Sequence, residues 1–524
     1  MSGSEIDPKS PKPGDDNLDR RAEDQTLPFY PVLAAVFPIL ATYSANLSLV
    51  PVQHLVRPLI AAIMAAVILQ TGASLLLRDK QRGAAAAAAL LAWLWSFSWI
   101  APKIDNFMYG AAMPGYIIGG LVIAGLAARW RPQSHPLNLV GLCITVFSVA
   151  NILWLFFGSM PAKQASASTA TTAALPPGPR PDIFHIVLDG FGRADVLKER
   201  MDLDLSGFIE DLESRGFQVV DQARTSYVQT ELSVSSTLNM ELMQKLLPQS
   251  VKDMTNRRVL KPFIQEPAVA QKLMASGYRY VAVGTGFDGL WLGRYQLPDR
   301  AEGSFTLFEG TLLSRTPWRL AGAVASSQYD LHRSQIKGAF AQLEELAAPT
   351  SKPRFVVAHI LAPHPPFVFD QNGGSVRPKG PFGYWDGSDF MTFAGTPEEY
   401  REGYRAKAGY ITKRLISLID KLQSSGRRPI IILQGDHGSK VGLDQNSLAR
   451  TDLREAFCNF YAVSVPSDVP LEVPELDTSV NTYRRLFTAM GAEGLAPYPP
   501  QSWYSTAPKP FVFTEVSARL DADQ

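Results

Sequence analysis

The sequence predicts two unlike parts: a five-helix transmembrane domain, followed by an α/β domain whose mixed or parallel sheet is sandwiched by helices. Three observations point there. Uncharged apolar segments are confined to the amino-terminal part, short Ile- and Val-rich runs alternate with helical patterns in the rest, and acidic and histidine residues stand at the ends of those runs. A chain of 524 residues exceeds one ordinary domain, and its mean hydropathy of −0.01 averages two compositions.

The five apolar stretches are Phe29 to Val50, Pro58 to Leu77, Ala84 to Ala101, Met113 to Ala128 and Asn138 to Phe157, and none contains Asp, Glu, Lys, Arg or His. Each approaches the ~20 residues that cross a hydrocarbon core. Lys and Arg collect on the cytoplasmic side. The loop with Arg78, Lys80 and Arg82, the loop with Arg129 and Arg131, and the tail with Lys9, Lys12, Arg20 and Arg21 are therefore cytoplasmic. Five crossings from that tail put everything after Phe157 outside. The expectation is a multi-pass protein of a bacterial inner membrane with a periplasmic or extracytoplasmic domain. No short apolar region with a small-residue cleavage site is present, so the first span is expected to stay as an anchor. Ionisable residues within spans mark transport pathways, and their absence here disfavours a transporter. Lys103 and Asp105 mark an outer-surface segment suited to lipid contact.

Composition divides the chain further. Residues 1–27, rich in Asp, Pro, Ser and Gly, read as a disordered cytoplasmic tail; 28–158 hold the spans; 159–180, rich in Ala, Ser, Thr and Pro, read as a flexible linker; 181–524 form the outer domain. Its expected strands are Ile183 to Leu188, Phe217 to Val220, Tyr278 to Val283, Phe355 to Ile360, Pro429 to Leu433 and Phe460 to Val465. Unalternating Ile and Val indicate strands covered on both faces. Thr396-Pro397-Glu398-Glu399 opens a helix running to about Gln423, with Thr as cap, Pro at the first helical position and Glu three residues after the cap. Cys143 and Cys458 are too far apart in type of segment for a disulfide scaffold. A net charge of +1 gives no reason to expect nucleic acid as a partner.

Asp189 closes the run Asp182 to Gly190, and Asp436-His437-Gly438 follows the strand that begins at Pro429. Two carboxylates and an imidazole at strand carboxyl ends suit a zinc or manganese ion, and Thr230, lying between them in the chain, offers a fourth ligand and a nucleophile. Each residue has a plainer reading: Asp-Gly is a common turn, and Ser/Thr clusters ordinarily cap helices. Their joint chain order favours the metal site. The segment Thr230 to Thr237 enters a helix whose amino terminus presents N–H groups to an anion, and Ser233, one turn on, is a candidate to hydrogen-bond substrate in the same pocket.

The motifs Val187 to Gly190, Tyr227 to Ser233, His359 to Pro366 and Gly435 to Gly438 together resemble the alkaline phosphatase and sulfatase superfamily. The resemblance is nearest to its membrane branch, which contains lipoteichoic acid synthase and the lipid A phosphoethanolamine transferases. It spans Pro181 to about Gly491 by motif and the membrane part by topology alone. It implies an alkaline-phosphatase-like sheet and one divalent ion, Zn or Mn, on Asp189, Thr230, Asp436 and His437, with Thr230 as nucleophile. His364 would meet substrate or leaving group opposite the metal, a reading that stands level with a histidine merely packed in a Pro-rich loop. Trp291 and Arg294 loosely resemble a headgroup-phosphate pair, against the ordinary reading of a core Trp and a surface Arg. His359 and His185 read as strand residues satisfied by neighbours. Relatives with two metals carry further histidines after the Asp-His-Gly motif, and Ser439 to Phe457 has none, so one metal is expected. Sulfatases use a cysteine converted to formylglycine, and neither cysteine lies near the motifs. The implied activity moves a phospholipid headgroup, phosphoglycerol or phosphoethanolamine, from a membrane phospholipid donor to an envelope glycan or lipid acceptor. The alternatives are a hydrolase of phosphate or sulfate esters and a catalytically silent envelope scaffold or receptor.

Overall fold

The uncharged apolar runs fold as five helices, α1 (Tyr30–Ala45), α2 (Gln53–Leu77), α3 (Lys80–Ile100), α4 (Tyr109–Ala127) and α5 (Ser134–Gly158). In this computed structural model the described residues are 26–47, 50, 52–100, 109–158, 173–284, 286–298, 306–317, 323–379, 382–424, 426 and 428–522. The expected disordered tail, the surface at Lys103 and Asp105 and most of the linker lie outside them. Contacts divide the chain into two units, residues 1–158 with 306–324 and residues 159–305 with 325–524.

In the first unit, Gln53–Leu77 and Ser134–Leu155 are the two described helices long and apolar enough to cross a membrane. Of the expected five spans, only these two meet that criterion. Large apolar side chains such as Leu76, Phe147 and Trp154 point outward, 84%, 72% and 77% exposed, a surface that water does not favour. Asn138 Oδ1 accepts the amides of Phe29 and Tyr30 at 3.0 and 2.9 Å, satisfying donors that the first turn of α1 leaves free.

The first unit also takes in a segment from the outer part of the chain, residues 306–324. Helix Leu307–Ser314, closed at its start by a capping box between Thr306 and Glu309, buries Phe308 and Leu312 against Ile39, Tyr43, Leu47 and Val50. Glu309 takes two hydrogen bonds from Arg57, and Arg315 Nη1 donates to Thr42 Oγ1 at 2.8 Å. A single charged, two-turn helix has no span-like signature, so the sequence gives no sign of this return.

The second unit is built on a six-stranded sheet of β1 (Ile183–Leu188), β2 (Gln218–Val219), β3 (Arg279–Val283), β4 (Arg354–Ile360), β5 (Ile430–Gly435) and β6 (Tyr461–Ser464), in the order β2-β6-β5-β1-β4-β3. The pairs β1/β4, β1/β5 and β3/β4 are parallel, whereas β6 runs antiparallel to β5 and β2. The sheet is therefore mixed. A separate antiparallel pair, β7 (Trp503–Tyr504) and β8 (Thr514–Glu515), was outside the expected strands; two residues carry no periodicity to read. Alternate side chains of the central strands enter two cores: Ile183, Val187, Phe355, Val357, Ile430 and Ile432 on one face, and Phe184, Ile186, Leu188, Val356, Ile431 and Leu433 on the other. Both faces are dry, which is why Ile and Val run without polar alternation.

Two boundaries compare differently with expectation. Helix Pro397–Gln423 has the capping box of Thr396 and Glu399 expected of it. The end of the expected linker, by contrast, is docked: Leu175 is buried in the first of the two cores, its amide donates to Ser276 Oγ at 2.8 Å, and Lys272 Nζ donates to Ala173 O at 2.7 Å. Composition describes the segment as flexible, but one leucine and two backbone bonds suffice to hold it.

Candidate active site

Strand register assembles the site. β1 and β5 pair as far as Leu188 opposite Gly435, so the next residue of each strand, Asp189 and Asp436, emerges beside the other at the carboxyl edge of the sheet. That edge is where open α/β sheets place their ligands. Glycines allow the chain to turn here through backbone: a Cβ on Gly435 would lie 2.1 Å from Phe191 O, and one on Gly438 would lie 1.8 Å from Glu455 O. The Gly-Asp-His-Gly pattern thus has a steric cause.

One ligand atom each from Asp189, Asp436 and His437 falls within 4.8 Å of the others, and all three residues are buried. His437 Nε2 stands 3.3 Å from Asp189 Oδ1 and 3.2 Å from Asp436 Oδ2. Those two carboxylate oxygens are buried without a hydrogen-bond partner. The other ring nitrogen, Nδ1, lies 2.9 Å from Gly438 O; a carbonyl only accepts, so Nδ1 carries a proton and Nε2 is the ring atom turned toward the two oxygens. Two buried carboxylate oxygens without a hydrogen-bond partner, converging with an imidazole nitrogen, fit a divalent cation.

Thr230 begins helix Thr230–Asn239, and its Oγ1 lies 3.1 Å from His437 Nε2. The helix start thus places the hydroxyl against the ligand cluster. The structure therefore brings together the four residues expected at the metal site. The hydroxyl of Ser233 is buried and donates to Asp436 O at 2.7 Å, with Thr225 Oγ1 at 2.9 Å, so it braces the ligand loop. Arg294 is exposed, pairs with Glu266 at 3.5 Å and lies over the Tyr295 ring. Trp291 is half-buried in the same stretch, and neither has a described contact with Thr230, His364 or the carboxylates.

His364 does belong to the site's surroundings. Its amide donates to Asp189 O at 3.0 Å, its Nδ1 donates to Pro365 O at 2.6 Å, and its Nε2 stands 3.3 Å from Asp386 Oδ2. Burial works against its charge, but Asp189 and Asp386 outweigh that and raise its pKa above the ordinary value. Burial likewise opposes ionisation of Asp189, yet His364, His359 and His437 hold its carboxyl well below the usual range. Asp386 is held low in the same sense by Lys440 and His364, against its burial.

Three neighbours of the site went unrecognised in the sequence. Asp386 precedes a short helix with no motif around it. Lys440 follows the Asp-His-Gly motif by two residues and reaches Asp386 Oδ2 at 2.8 Å from a backbone at φ 69°, an uncommon conformation for a side-chain-bearing residue. His359 is a strand residue as expected, but its Nε2 lies 3.2 Å from Asp189 Oδ2, so it orients a ligand as well as filling the strand. His185 keeps its plain reading, between Tyr483 Oη at 2.8 Å and Gln434 Oε1 at 3.1 Å.

A carboxylate-imidazole cluster at the carboxyl edge of an α/β sheet, beside a hydroxyl on a helix start, defines a metal-site enzyme that works on esters of oxyanions. The Sulfatase family model matches residues 181–456, more than half of the chain, and the protein belongs to that family. It is thus a sulfatase-like enzyme of the alkaline phosphatase superfamily. Solved structures similar to it include a 2-O GAG sulfatase, 15% identical over 63% of this chain and 78% of its own, with a TM-score of 0.42. The C-terminal periplasmic domain of EcEptC from Escherichia coli is 12% identical over 67% and 99%, with a TM-score of 0.39. The phosphonate monoester hydrolase of Agrobacterium radiobacter is 14% identical over 62% and 80%, also at 0.39. Comparison with curated proteins finds no match.

Proposed function

We propose that the protein is a membrane-anchored phosphotransferase in which Thr230 takes the headgroup phosphate of a phospholipid and passes it to a hydroxyl of an envelope glycan or lipid. The observation that carries this reading is Thr230 Oγ1 at 3.1 Å from His437 Nε2, a hydroxyl nucleophile on a helix start against a cluster that fits a metal. A divalent ion on Asp189, Asp436, His437 and Thr230 would supply Lewis acidity toward the phosphoryl oxygen and the hydroxyl.

The steps by the chain's own residues balance as follows. Thr230 Oγ attacks phosphorus and its proton leaves to water; the bond from phosphorus to the diacylglycerol oxygen breaks, and that oxygen takes the Nε2 proton of His364. The acceptor hydroxyl then attacks phosphorus, the Thr230–phosphate bond breaks, and the acceptor's proton returns to His364 while Thr230 recovers one from water. Asp386, 3.3 Å from His364 Nε2, favours the protonated ring that the first step needs. A threonine in place of a formylglycine precursor supports phosphoryl over sulfuryl chemistry. The donor reading rests on the apolar helices, which support a multi-pass anchor with a cytoplasmic tail and an extracytoplasmic catalytic part holding the site near lipid.

The test is intact-mass and peptide mass spectrometry of the full-length protein with zinc or manganese and phosphatidylglycerol or phosphatidylethanolamine. The expected result is a phosphoester adduct on Thr230, with a mass that identifies the headgroup, and none in Thr230→Ala. Turnover in Thr230→Ala should fall by at least about 1,000-fold, the scale on which losing a nucleophile acts. An adduct elsewhere, or unchanged turnover in the variant, would overturn the assignment.

A further inference from the structure

Helix Pro397–Gln423 touches the loops of the site through one face. Tyr400, Tyr404 and Lys407 are spaced i, i+4, i+7, which aligns them on one side of an α-helix, and they are 1%, 0% and 0% exposed. Each ends in a polar tip bonded to backbone of a different loop. Tyr400 Oη donates to Ser439 O, two residues past His437. Tyr404 Oη donates to Gly190 O at 2.8 Å and accepts from Gly192 N at 3.2 Å, clasping the turn after Asp189. Lys407 Nζ donates to Leu361 O at 3.0 Å, His364 O at 2.7 Å and Pro366 O at 3.2 Å, gathering the loop that carries His364. His332 Nε2 lies 3.3 Å from the same nitrogen, and its ring packs on Tyr384 at 5.3 Å, in the segment that leads to Asp386.

An apolar helix face would fill this space with more hydrophobic stabilisation and no buried ammonium. Polar tips at all three positions have a different consequence: backbone carbonyls of loops from three strands are fixed to one rigid rod. We propose that the Tyr400–Tyr404–Lys407 face is the positioning element of the site, with the two tyrosines setting the metal-ligand loops and Lys407 setting His364. None of the three touches the reacting atoms. The inference about His364 rests on the function proposed above; the inference about the ligand loops does not.

The division of labour is testable on the full-length protein in detergent. Zinc affinity, by chelator competition, should weaken about tenfold or more in Tyr400→Phe and in Tyr404→Phe, the range seen when groups behind metal ligands are lost, and should stay within twofold in Lys407→Met. Turnover is read with two substrates, bis(p-nitrophenyl) phosphate, whose leaving group needs no proton, and phosphatidylethanolamine, whose diacylglycerol oxygen does. Lys407→Met should lower the phospholipid rate about 100-fold, as misplacing a catalytic group by about an ångström does, and the p-nitrophenyl rate by less than threefold. Adding it to His364→Gln should cost nothing more. Lys407→Gln, which retains an N–H donor, carries the same comparison if Lys407→Met does not fold. Ile411→Val, buried on the same helix, controls for stability and should move neither readout. Unchanged zinc affinity in both tyrosine variants, or an equal loss on both substrates in the lysine variants, would overturn the proposal. A wild type that binds zinc with the tyrosine dependence but turns over neither phosphodiester would sink the proposed function and leave the ligand-loop assignment standing.

Discussion

Asp386 decides how His364 behaves. The carboxylate stands 3.3 Å from Nε2 and, with Asp189, raises the histidine's pKa against the opposing effect of burial. If the protonated ring serves the leaving group, activity persists while the proton is bound and falls as pH rises through that raised value. Asp386→Asn removes one of the two anions, so the alkaline limb of the kcat profile for a phospholipid donor should move to lower pH, with zinc affinity unchanged; a limb that stays in place would separate His364 from the titration. The sequence makes Asp189, Thr230, Asp436 and His437 legible because each follows a readable strand or opens a readable helix. It leaves Asp386 and Lys440 unreadable because they meet His364 only across loops, where no periodicity links one residue to another. Ser233 is legible only in part for a related reason. One helical turn from Thr230 predicts the right face, but not that the carbonyl of Asp436 has already taken its hydroxyl.

At the scale of elements, strand β1 carries a second histidine whose environment has the opposite sign. His185 is held neutral between Tyr483 and Gln434, and burial brings its pKa down from 6.5 to about 3. Above pH 6.5 neither folded nor unfolded chain binds this proton, and the group costs nothing. Below it the unfolded chain takes up a proton that the fold refuses, so stability falls with pH until about 3. At 1.36 kcal/mol per pH unit the loss is about 2 kcal/mol by pH 5. Unfolding free energies from urea titrations at pH 7.5 and 5 should therefore converge by about that amount in His185→Asn relative to wild type. A second element gives a control without chemistry: Thr396→Ala removes the exposed cap of helix Pro397–Gln423 and should cost about 1 kcal/mol with kcat unchanged. Both elements are legible in the sequence because their signals are local, an Ile/Val run in one and a capping box in the other. The antiparallel direction of β6 is not, since a strand's own residues do not record which way its neighbour runs.

For the molecule as a whole, the consequential feature is that the chain leaves the catalytic unit at 306 and rejoins it near 324 after packing with the apolar helices. Phe308 and Leu312 are 2% and 5% exposed in that arrangement, and their partners Ile39, Tyr43, Leu47 and Val50 all come from the amino-terminal part. A truncated protein beginning at residue 173 keeps the sheet and every ligand of the site, but turns these two side chains and Glu309 out to solvent. Burial of a large apolar side chain contributes about 1.5 to 3 kcal/mol, so exposing both leaves a sticky two-turn patch on an otherwise polar surface. The truncated protein should bind zinc yet associate on size-exclusion chromatography, and Phe308→Ser with Leu312→Ser should return it to a monodisperse peak without changing zinc affinity. In the full-length protein the same pair of substitutions should do the reverse, lowering thermal stability because the cavity they leave lies within the helical unit. If the truncated protein is monodisperse with Phe308 and Leu312 in place, the segment belongs with the catalytic unit, and its grouping with the apolar helices is wrong.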